Sequence, residues 1–102
     1  MITISVCMIV KDEEMVLERA LKSVERIADE IIIVDTGSTD RTKKIALKYT
    51  DKVYDFVWCD DFAKARNYSF SKATMDYCMW LDADDIISDS DQEGLINLKK
   101  TL

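Results

Sequence analysis

The chain has 102 residues, of which 48% are hydrophobic and 33% charged, enough for one compact domain and too few for two. Its formal net charge of -6 and its lack of long basic runs argue against nucleic acid as a partner. No apolar stretch approaches the roughly 20 residues that cross a bilayer, and no basic segment precedes the first apolar run. We therefore expect no membrane segment, no signal peptide and a cytoplasmic location.

Residue types narrow the available chemistry further. The chain contains no histidine, which excludes catalytic triads with histidine and the metal site of two histidines and one carboxylate. Cys7, Cys59 and Cys78 are widely spaced without a CxxC pair, so they fit neither a disulfide framework nor a zinc site, and we interpret them as small buried hydrophobic residues. Any catalysis must therefore use carboxylates and a hard metal ion.

The first βα unit begins with a β-branched, apolar run. In residues 3–10 apolar and polar side chains alternate too little for a sheet that has one face in solvent. This pattern predicts a central strand that is covered on both faces. From Met15 onwards apolar residues recur at helical spacing, which predicts an amphipathic helix with Asp12 as its N-cap. The apolar face of this helix consists of Leu17, Ala20, Leu21, Val24, Ile27 and Ala28.

The second unit repeats this order. Residues 31–34 predict another fully buried strand, which ends at Asp35. Gly37 permits a tight turn, and Ser38 or Thr39 can cap the next helix. The apolar face of that helix consists of Ile45, Ala46 and Tyr49.

Two further units complete the pattern. Apolar and polar side chains alternate more in residues 53–58 than in the first two strands, which predicts a strand nearer the sheet edge. A helix is predicted over residues 62–73. Residues 76–81 predict a fourth strand, and Ser90 with Glu93, spaced as a capping box, predicts a last helix. The βαβαβαβα order predicts an α/β fold with a Rossmann-like, doubly wound and mainly parallel sheet of four βα units.

Acidic residues end or follow every predicted strand, and most of them are expected to converge at one edge of the sheet, where the carboxyl ends of parallel strands meet and ligands bind. They are Asp12, Asp35, Asp60, Asp61, Asp82, Asp84 and Asp85. Charges as close as those of Asp82, Asp84 and Asp85 repel one another and favour binding of a divalent cation that itself holds a phosphate. A solvated acidic turn is the alternative for this cluster, and stabilisation of a helix N-terminus is the alternative for Asp60 and Asp61.

Four stretches carry a resemblance to a known family. They are SVCMIVKDEE at residues 5–14, VDTGSTD at 34–40, FAKARNYSFSKA at 62–73 and LDADD at 81–85. Over residues 4–85 the chain resembles the nucleotide-binding half of family 2 glycosyltransferases, which have the GT-A fold. The resemblance implies that residues 1–102 bind a nucleoside-diphosphate sugar and that the acceptor-binding half is absent.

The resemblance assigns roles to individual residues. It implies that Asp35 accepts a hydrogen bond from uracil or another base and that Val10 contacts the nucleoside through its backbone. Asp82, the first acid of the DxD motif, is implied to lie near the ribose and the metal. Asp84, the last acid, is implied to ligate Mn²⁺ or Mg²⁺ bridging the diphosphate, whereas Asp85 stays a loop or helix-entry acid.

A basic residue is implied near the nucleotide as well. Arg66 lies where the family places it, and Asn67 is implied as a secondary polar contact. The alternative for Arg66 is a surface ion pair with Asp60 or Asp61.

The implied reaction is an inverting glycosyl transfer from a nucleoside-diphosphate sugar, with a UDP sugar as the expected donor and the acceptor unknown. The catalytic base is expected beyond Leu102, so we expect this chain to bind nucleotide and metal without completing transfer alone. Two departures leave the choice of nucleotide open. Thr36 stands where many relatives have a second acid, and Asp12 stands where many have asparagine.

Other classes remain as alternatives. The chain could be a non-catalytic nucleotide-binding module, or it could self-associate as a homodimer through an exposed sheet edge. A sugar nucleotidyltransferase shares the fold but usually has a glycine-rich loop after the first strand, and residues 11–14 contain no glycine. Haloacid-dehalogenase-type phosphatases also use DxD, but theirs ends the first strand.

Overall fold

A computed structural model describes residues 2–58, 60–83 and 86–101. Strands and helices alternate through the chain, as predicted. In chain order they are β1 (Ile4–Val10), α1 (Leu17–Val24), β2 (Glu30–Asp35), α2 (Thr42–Leu47), β3 (Val53–Asp55), α3 (Phe62–Ser71), β4 (Tyr77–Trp80) and α4 (Asp89–Thr101).

The four strands form one parallel sheet in the order β3-β2-β1-β4. This confirms the predicted Rossmann-like α/β fold, and it places β3 at an edge as its alternating pattern indicated. The apolar strands β1 and β2 occupy the centre, where pairing on both sides satisfies their backbone groups. The short β4 forms the other edge among the described strands, and homodimer formation through that edge stays a prediction.

The central strands bury both faces because successive side chains point to opposite sides. Ile4, Val6, Met8 and Val10 of β1 pack with α1 in the main hydrophobic core. The opposite face carries Cys7, and α3 packs against β1 and β2 there with Ala65 and Ser69 buried. α1 contacts both α2 and α4, so helices cover the two faces of the sheet as predicted.

Helix caps differ from the predicted ones. α1 begins at Leu17, so Asp12 is not its N-cap, and the prediction was wrong. Ser38 and Thr39 do not cap α2, since the carboxylate of Asp40 accepts the hydrogen bond from the amide of Thr42 at 2.8 Å instead.

The cap of the last helix is also displaced. The Ser88 hydroxyl accepts a hydrogen bond from the Asp91 amide at 3.2 Å, so the cap lies two residues before the predicted Ser90. Serine and aspartate at positions 88 and 91 offer the same chemistry as the predicted pair, and packing of Ile87 against the core favours the earlier start.

The cysteine prediction holds only in part. Cys7 is fully buried, and burial raises the pKa of its thiol to about 11. Cys78 is exposed because it lies on the edge strand β4, which contradicts the predicted burial. Cys59 lies outside the described residues. Within those residues, no helix has the length and apolar character needed to cross a membrane.

A buried polar cluster holds the strands together at the amino end of the sheet. The carboxylate of Glu30, whose side chain is 1% exposed, accepts a hydrogen bond from Ser5 at 2.8 Å. It also accepts bonds from the amide and hydroxyl of Thr74, both at 2.8 Å, and from the ammonium of Lys52. These four residues form the Glu30 cluster, which ties β1, β2 and the segments that precede β3 and β4.

Replacing Glu30 with glutamine tests this cluster. Burial raises the pKa of Glu30, but hydrogen bonds from Lys52, Thr74 and Ser5 outweigh burial and lower the pKa from 4.5 to about 2. The charged form therefore stabilises the fold above the unfolded-state pKa, and this contribution is lost as the pH falls from 4.5 towards about 2. We expect Glu30→Gln to lower the free energy of unfolding by about 2–4 kcal/mol at pH 7, measured by urea denaturation.

The matched control is Asp51→Asn, which removes the same charge from an exposed residue near Lys52. It should change the free energy of unfolding by less than about 0.5 kcal/mol. The difference between wild type and Glu30→Gln should shrink below pH 4.5. A difference that stays constant between pH 7 and pH 3 would contradict the electrostatic explanation.

Candidate functional site

The strand order creates a switch point at the carboxyl end of β1. From β1 the chain proceeds to β2 and β3 on one side and later returns to β4 on the other. Ligand crevices of open parallel sheets lie at such points. Asp35 ends β2 and Asp82 follows β4, so both carboxylates lie at this edge, separated by β1. Two strand spacings put the strand ends roughly 10 Å apart.

Asp35 is the most buried of the described carboxylates at this end of the sheet. It is 3% exposed, and its Oδ1 accepts hydrogen bonds from the amides of Gly37 at 2.8 Å and Ser38 at 2.7 Å. Gly37 has a φ of 115°, which side-chain-bearing residues rarely adopt, so glycine permits this turn. The other oxygen, Oδ2, is buried and has no hydrogen-bond partner among the described residues. An unpaired buried acceptor is costly, and a ligand N–H would satisfy it.

The loop after β1 is tied to the loop after β2. Asp12 has a φ of 52°, and its Oδ1 accepts a hydrogen bond from the amide of Thr39 at 2.7 Å. The amide of Asp12 donates in turn to the Ser38 hydroxyl at 2.9 Å. These bonds hold the segment whose amides bind Asp35, so Asp12 positions that segment rather than capping α1.

Further bonds extend this connection between the loops. The amide of Glu13 donates to the Thr42 hydroxyl at 2.7 Å, and the amide of Glu14 donates to the Asp40 carboxylate at 3.3 Å. The carboxylate of Glu14 accepts from the amide of Arg41, also at 3.3 Å. This network was not predicted from the sequence, although the charged residues 11–14 and the short polar side chains of residues 36–42 were its visible signal.

Val10 lies at the end of β1, in register with Asp35, and is 1% exposed. Its carbonyl accepts hydrogen bonds from the amide of Thr36 at 3.0 Å and from the Thr36 hydroxyl at 3.3 Å. These bonds engage both lone pairs of the carbonyl. The predicted contact of Val10 with a nucleoside stays a prediction, and through the carbonyl it would compete with Thr36.

Asp82 is exposed at the carboxyl end of the sheet between two buried neighbours. Leu81 and Ala83 on either side are buried, whereas Asp82 is exposed. The indole N–H of Trp80 donates to its Oδ1 at 3.2 Å, and no described residue donates to its Oδ2. Asp84 and Asp85 lie outside the described residues, so their predicted roles are not tested. Within the residues that are described, no three histidine, cysteine, aspartate or glutamate side chains form a metal cluster.

Arg66 is exposed on α3, and its guanidinium carbon lies 5.6 Å from the centre of the Phe62 ring. The alternative ion pair with Asp60 or Asp61 is not formed, since no salt bridge among the described residues includes Arg66. Asp61 instead accepts a hydrogen bond from the Lys64 amide as the N-cap of α3, as the helix-dipole alternative indicated. The exposed Asn67 follows Arg66.

Two shallow clefts flank Thr36 at this edge, with volumes of about 240 and 290 Å³. The first is lined by Ile9, Val10, Lys11, Glu13, Thr36, Trp58 and Phe62. The second is lined by Asp35, Thr36, Gly37, Asp55, Phe56, Val57 and Trp58. Thr36 and Trp58 therefore line both clefts. A larger groove of about 790 Å³ runs along α1 and α2, but neither Asp35 nor Asp82 lines it.

Comparison with known proteins gives a family match over almost the whole chain. The profile described as Glycosyl transferase family 2 matches residues 5–101. A TPR repeat-containing protein of Synechococcus elongatus is 47% identical over 85 residues, which is 83% of this chain and 21% of that protein. An uncharacterized glycosyltransferase of Rickettsia typhi is 36% identical over 92 residues, which is 90% of this chain and 31% of that protein.

A solved structure shares the fold. Glucosyl-3-phosphoglycerate synthase from Mycobacterium tuberculosis, in complex with Mn²⁺ and uridine-diphosphate-glucose, gives a TM-score of 0.70 at 26% identity. The similarity covers 83% of this chain and 34% of that chain. This chain thus spans about a fifth to a third of the lengths of these three proteins.

Replacing Asp12 tests its positioning role. Asp12→Ala removes the acceptor for the Thr39 amide and places alanine at a positive φ, so we expect a loss of about 1–2 kcal/mol in the free energy of unfolding. Asp12→Asn keeps both an acceptor oxygen and tolerance of the left-handed conformation, and it should stay within about 0.5 kcal/mol of wild type. Chemical denaturation measures both variants. Equal losses in the two would show that charge, rather than the bond to Thr39, is what stabilises the loops.

Proposed function

Because the chain belongs to glycosyl transferase family 2, we propose that it binds the nucleoside-diphosphate sugar donor of a glycosyltransferase, with a divalent metal holding the diphosphate. The observation that carries this proposal is the Asp35 carboxylate, with one oxygen held by two amides and the other buried without a partner among the described residues. It lies at the sheet edge where parallel α/β folds bind ligands.

Asp35 is suited to read a base because its geometry is set before the ligand arrives. The amides of Gly37 and Ser38 prevent rotation of the carboxylate, so Oδ2 offers an acceptor in one direction. Uracil carries an N–H at ring position 3, whereas cytosine has an acceptor nitrogen there. This geometry disfavours cytosine, whereas guanine also carries a ring N–H. We propose a UDP sugar as the donor because the mycobacterial synthase was solved in complex with uridine-diphosphate-glucose.

The charge of the chain explains the need for a metal. With a net charge of -6, the chain repels a diphosphate unless a cation lies between them. Asp82 offers carboxylate oxygen, the ligand type that Mg²⁺ and Mn²⁺ prefer, and Asp84 is the second proposed ligand. Mg²⁺ is commonly held by one or two carboxylates together with waters and substrate phosphates, so the two proposed ligands Asp82 and Asp84 are enough for it. When bound, the ion supplies Lewis-acid neutralisation of the departing diphosphate.

Glycosyl transfer with inversion at the anomeric carbon is our proposal for the whole protein. The residues assigned here bind the donor, and none of them is placed as the base that activates the acceptor hydroxyl. The described ion pairs leave Arg66 without a carboxylate partner, and we propose that it contributes positive charge near the nucleotide.

Exchange of Asp35 for asparagine tests base reading. The side-chain amide introduced by Asp35→Asn can keep its oxygen towards the Gly37 and Ser38 amides, so an N–H₂ group replaces Oδ2. We expect the affinity for UDP to fall about 10- to 100-fold and the preference to shift towards CDP, because the new donor faces the acceptor nitrogen of cytosine. Isothermal titration calorimetry with Mn²⁺ present measures both nucleotides. Asp51→Asn removes the same charge at the amino end of the strands, and it should leave the UDP affinity within about twofold of wild type.

Unchanged affinity of Asp35→Asn for UDP would show that Asp35 does not read the base. The proposed function as a whole has a simpler test. UDP, GDP and CDP are added to the wild-type chain with and without Mn²⁺, and thermal stability is recorded. A chain that no nucleotide stabilises even with metal present is not a donor-binding unit.

The metal assignment predicts a separate behaviour for the DxD acids. Asp82→Asn and Asp84→Ala should each lower the enhancement of UDP affinity by Mn²⁺ by at least about tenfold. Without metal, both variants should bind UDP as wild type does and be equally or slightly more stable, since repulsion between carboxylates is relieved. Calorimetry in Mn²⁺ and in chelator measures the two cases. A large loss of stability in chelator would instead make the altered residue structural.

A further inference from the structure

Trp58 combines an exposed ring with a position between the two clefts. It lines the cleft that contains Asp35 and also the cleft that contains Val10. The side chain is 41% exposed, and the preceding Val57 is 90% exposed. A single exposed apolar residue is common on protein surfaces, but the Trp58 ring is also held in place.

The indole is held by its one polar atom. The N–H of Trp58 donates to Oδ1 of Asp60 at 3.0 Å. Asp60 adopts a φ of 60°, a conformation that aspartate tolerates better than most residues. Since the indole has no other hydrogen-bonding atom, the ring can offer a ligand only its apolar face.

The other aromatic rings near this edge are already engaged. Phe56 packs against Tyr68 with 5.2 Å between ring centres, and Phe62 meets Trp80 edge-on at 5.8 Å. None of the ring pairs among the described residues includes Trp58. It is therefore the aromatic residue of the two clefts whose face is left for a ligand.

The positions of Asp35 and Trp58 are complementary. A carboxylate that accepts a hydrogen bond from a ring N–H contacts the base in its plane, so the base still presents two flat faces. An indole lining the same cleft provides a surface for one of them, and stacking of this kind strengthens binding of any base. Resting on the proposed donor binding, we propose that Trp58 is the stacking residue for the nucleobase and that Asp60 positions its ring.

The test compares a ligand that has a base with one that lacks it. UDP and inorganic pyrophosphate are titrated calorimetrically, with Mn²⁺ present, into wild type, Trp58→Leu and Trp58→Phe. Loss of stacking should weaken UDP about tenfold in Trp58→Leu and leave pyrophosphate unchanged. Trp58→Phe keeps a stacking face and should bind UDP within about threefold of wild type. Tyr77→Leu is the matched control, since Tyr77 is an exposed aromatic residue at the amino end of β4, and this variant should bind UDP as wild type does.

Fluorescence supplies a second measurement that does not depend on the stability of Trp58→Leu. Stacked uracil should quench tryptophan emission in wild type, and Trp58→Phe should lose this quenching while it still binds UDP. Asp60→Ala frees the indole and should weaken both UDP binding and quenching, whereas Asp60→Asn keeps the acceptor and should preserve them.

The results separate the inference from the proposed function. If Trp58→Leu binds UDP as tightly as wild type, or if UDP quenches Trp58→Phe as strongly, the stacking role is overturned and donor binding stands. Equal weakening of UDP and pyrophosphate also overturns it, because the effect then has nothing to do with the base. If wild type binds neither UDP nor pyrophosphate with Mn²⁺, the proposed function itself fails, and the stacking role fails with it.

Discussion

The double-sided pairing of β1 is the constraint on which the rest of the molecule depends. Six of its seven residues are buried, and it forms parallel ladders with β2 on one side and β4 on the other. A strand in this position must be apolar on both faces, which explains its near-continuous hydrophobic run. The same arrangement brings the strand ends that carry Asp35 and Asp82 to the same end of the sheet, one on each side of β1, so the requirement for burial also sets the relative positions of these two carboxylates.

Bonds between the loops after β1 and β2 add to the bonds within the second loop that hold Asp35. Asp12 reaches Thr39, and the amides of residues 13 and 14 reach side chains at the start of α2. Each bond is worth only about 1 kcal/mol, but together they remove freedom from two loops at once. The Asp35 carboxylate is therefore held in one orientation without a ligand, which would reduce the ordering entropy lost in the base binding that we propose.

The sequence predicted the architecture because β1, β2 and α1 have strong hydrophobic patterns that tertiary contacts do not override. The predicted cap of α2 was wrong. The segment GSTD at residues 37–40 offers three possible cap residues, and the choice among them depends on hydrogen bonds to a loop 26 or 27 residues away. The exposure of Cys78 depended on strand order, which composition does not specify. Asp35 was predicted as a site residue from its place after a strand and from the family resemblance, whereas the paired amides that hold it and the free face of Trp58 are visible only in three dimensions.

The edge position of β4 has an energetic consequence for Asp82. Among the described strands β4 has one ladder partner, and it pairs over four residues, whereas β1 is paired along both sides. Local opening of β4 therefore requires less free energy than opening of the sheet centre, and its amides should be among the first in the sheet to exchange with solvent. A cation shared between Asp82 and a diphosphate would bias that opening equilibrium towards the closed strand. Binding of the cation and diphosphate would then slow amide hydrogen exchange along β4, without a change in global unfolding being needed.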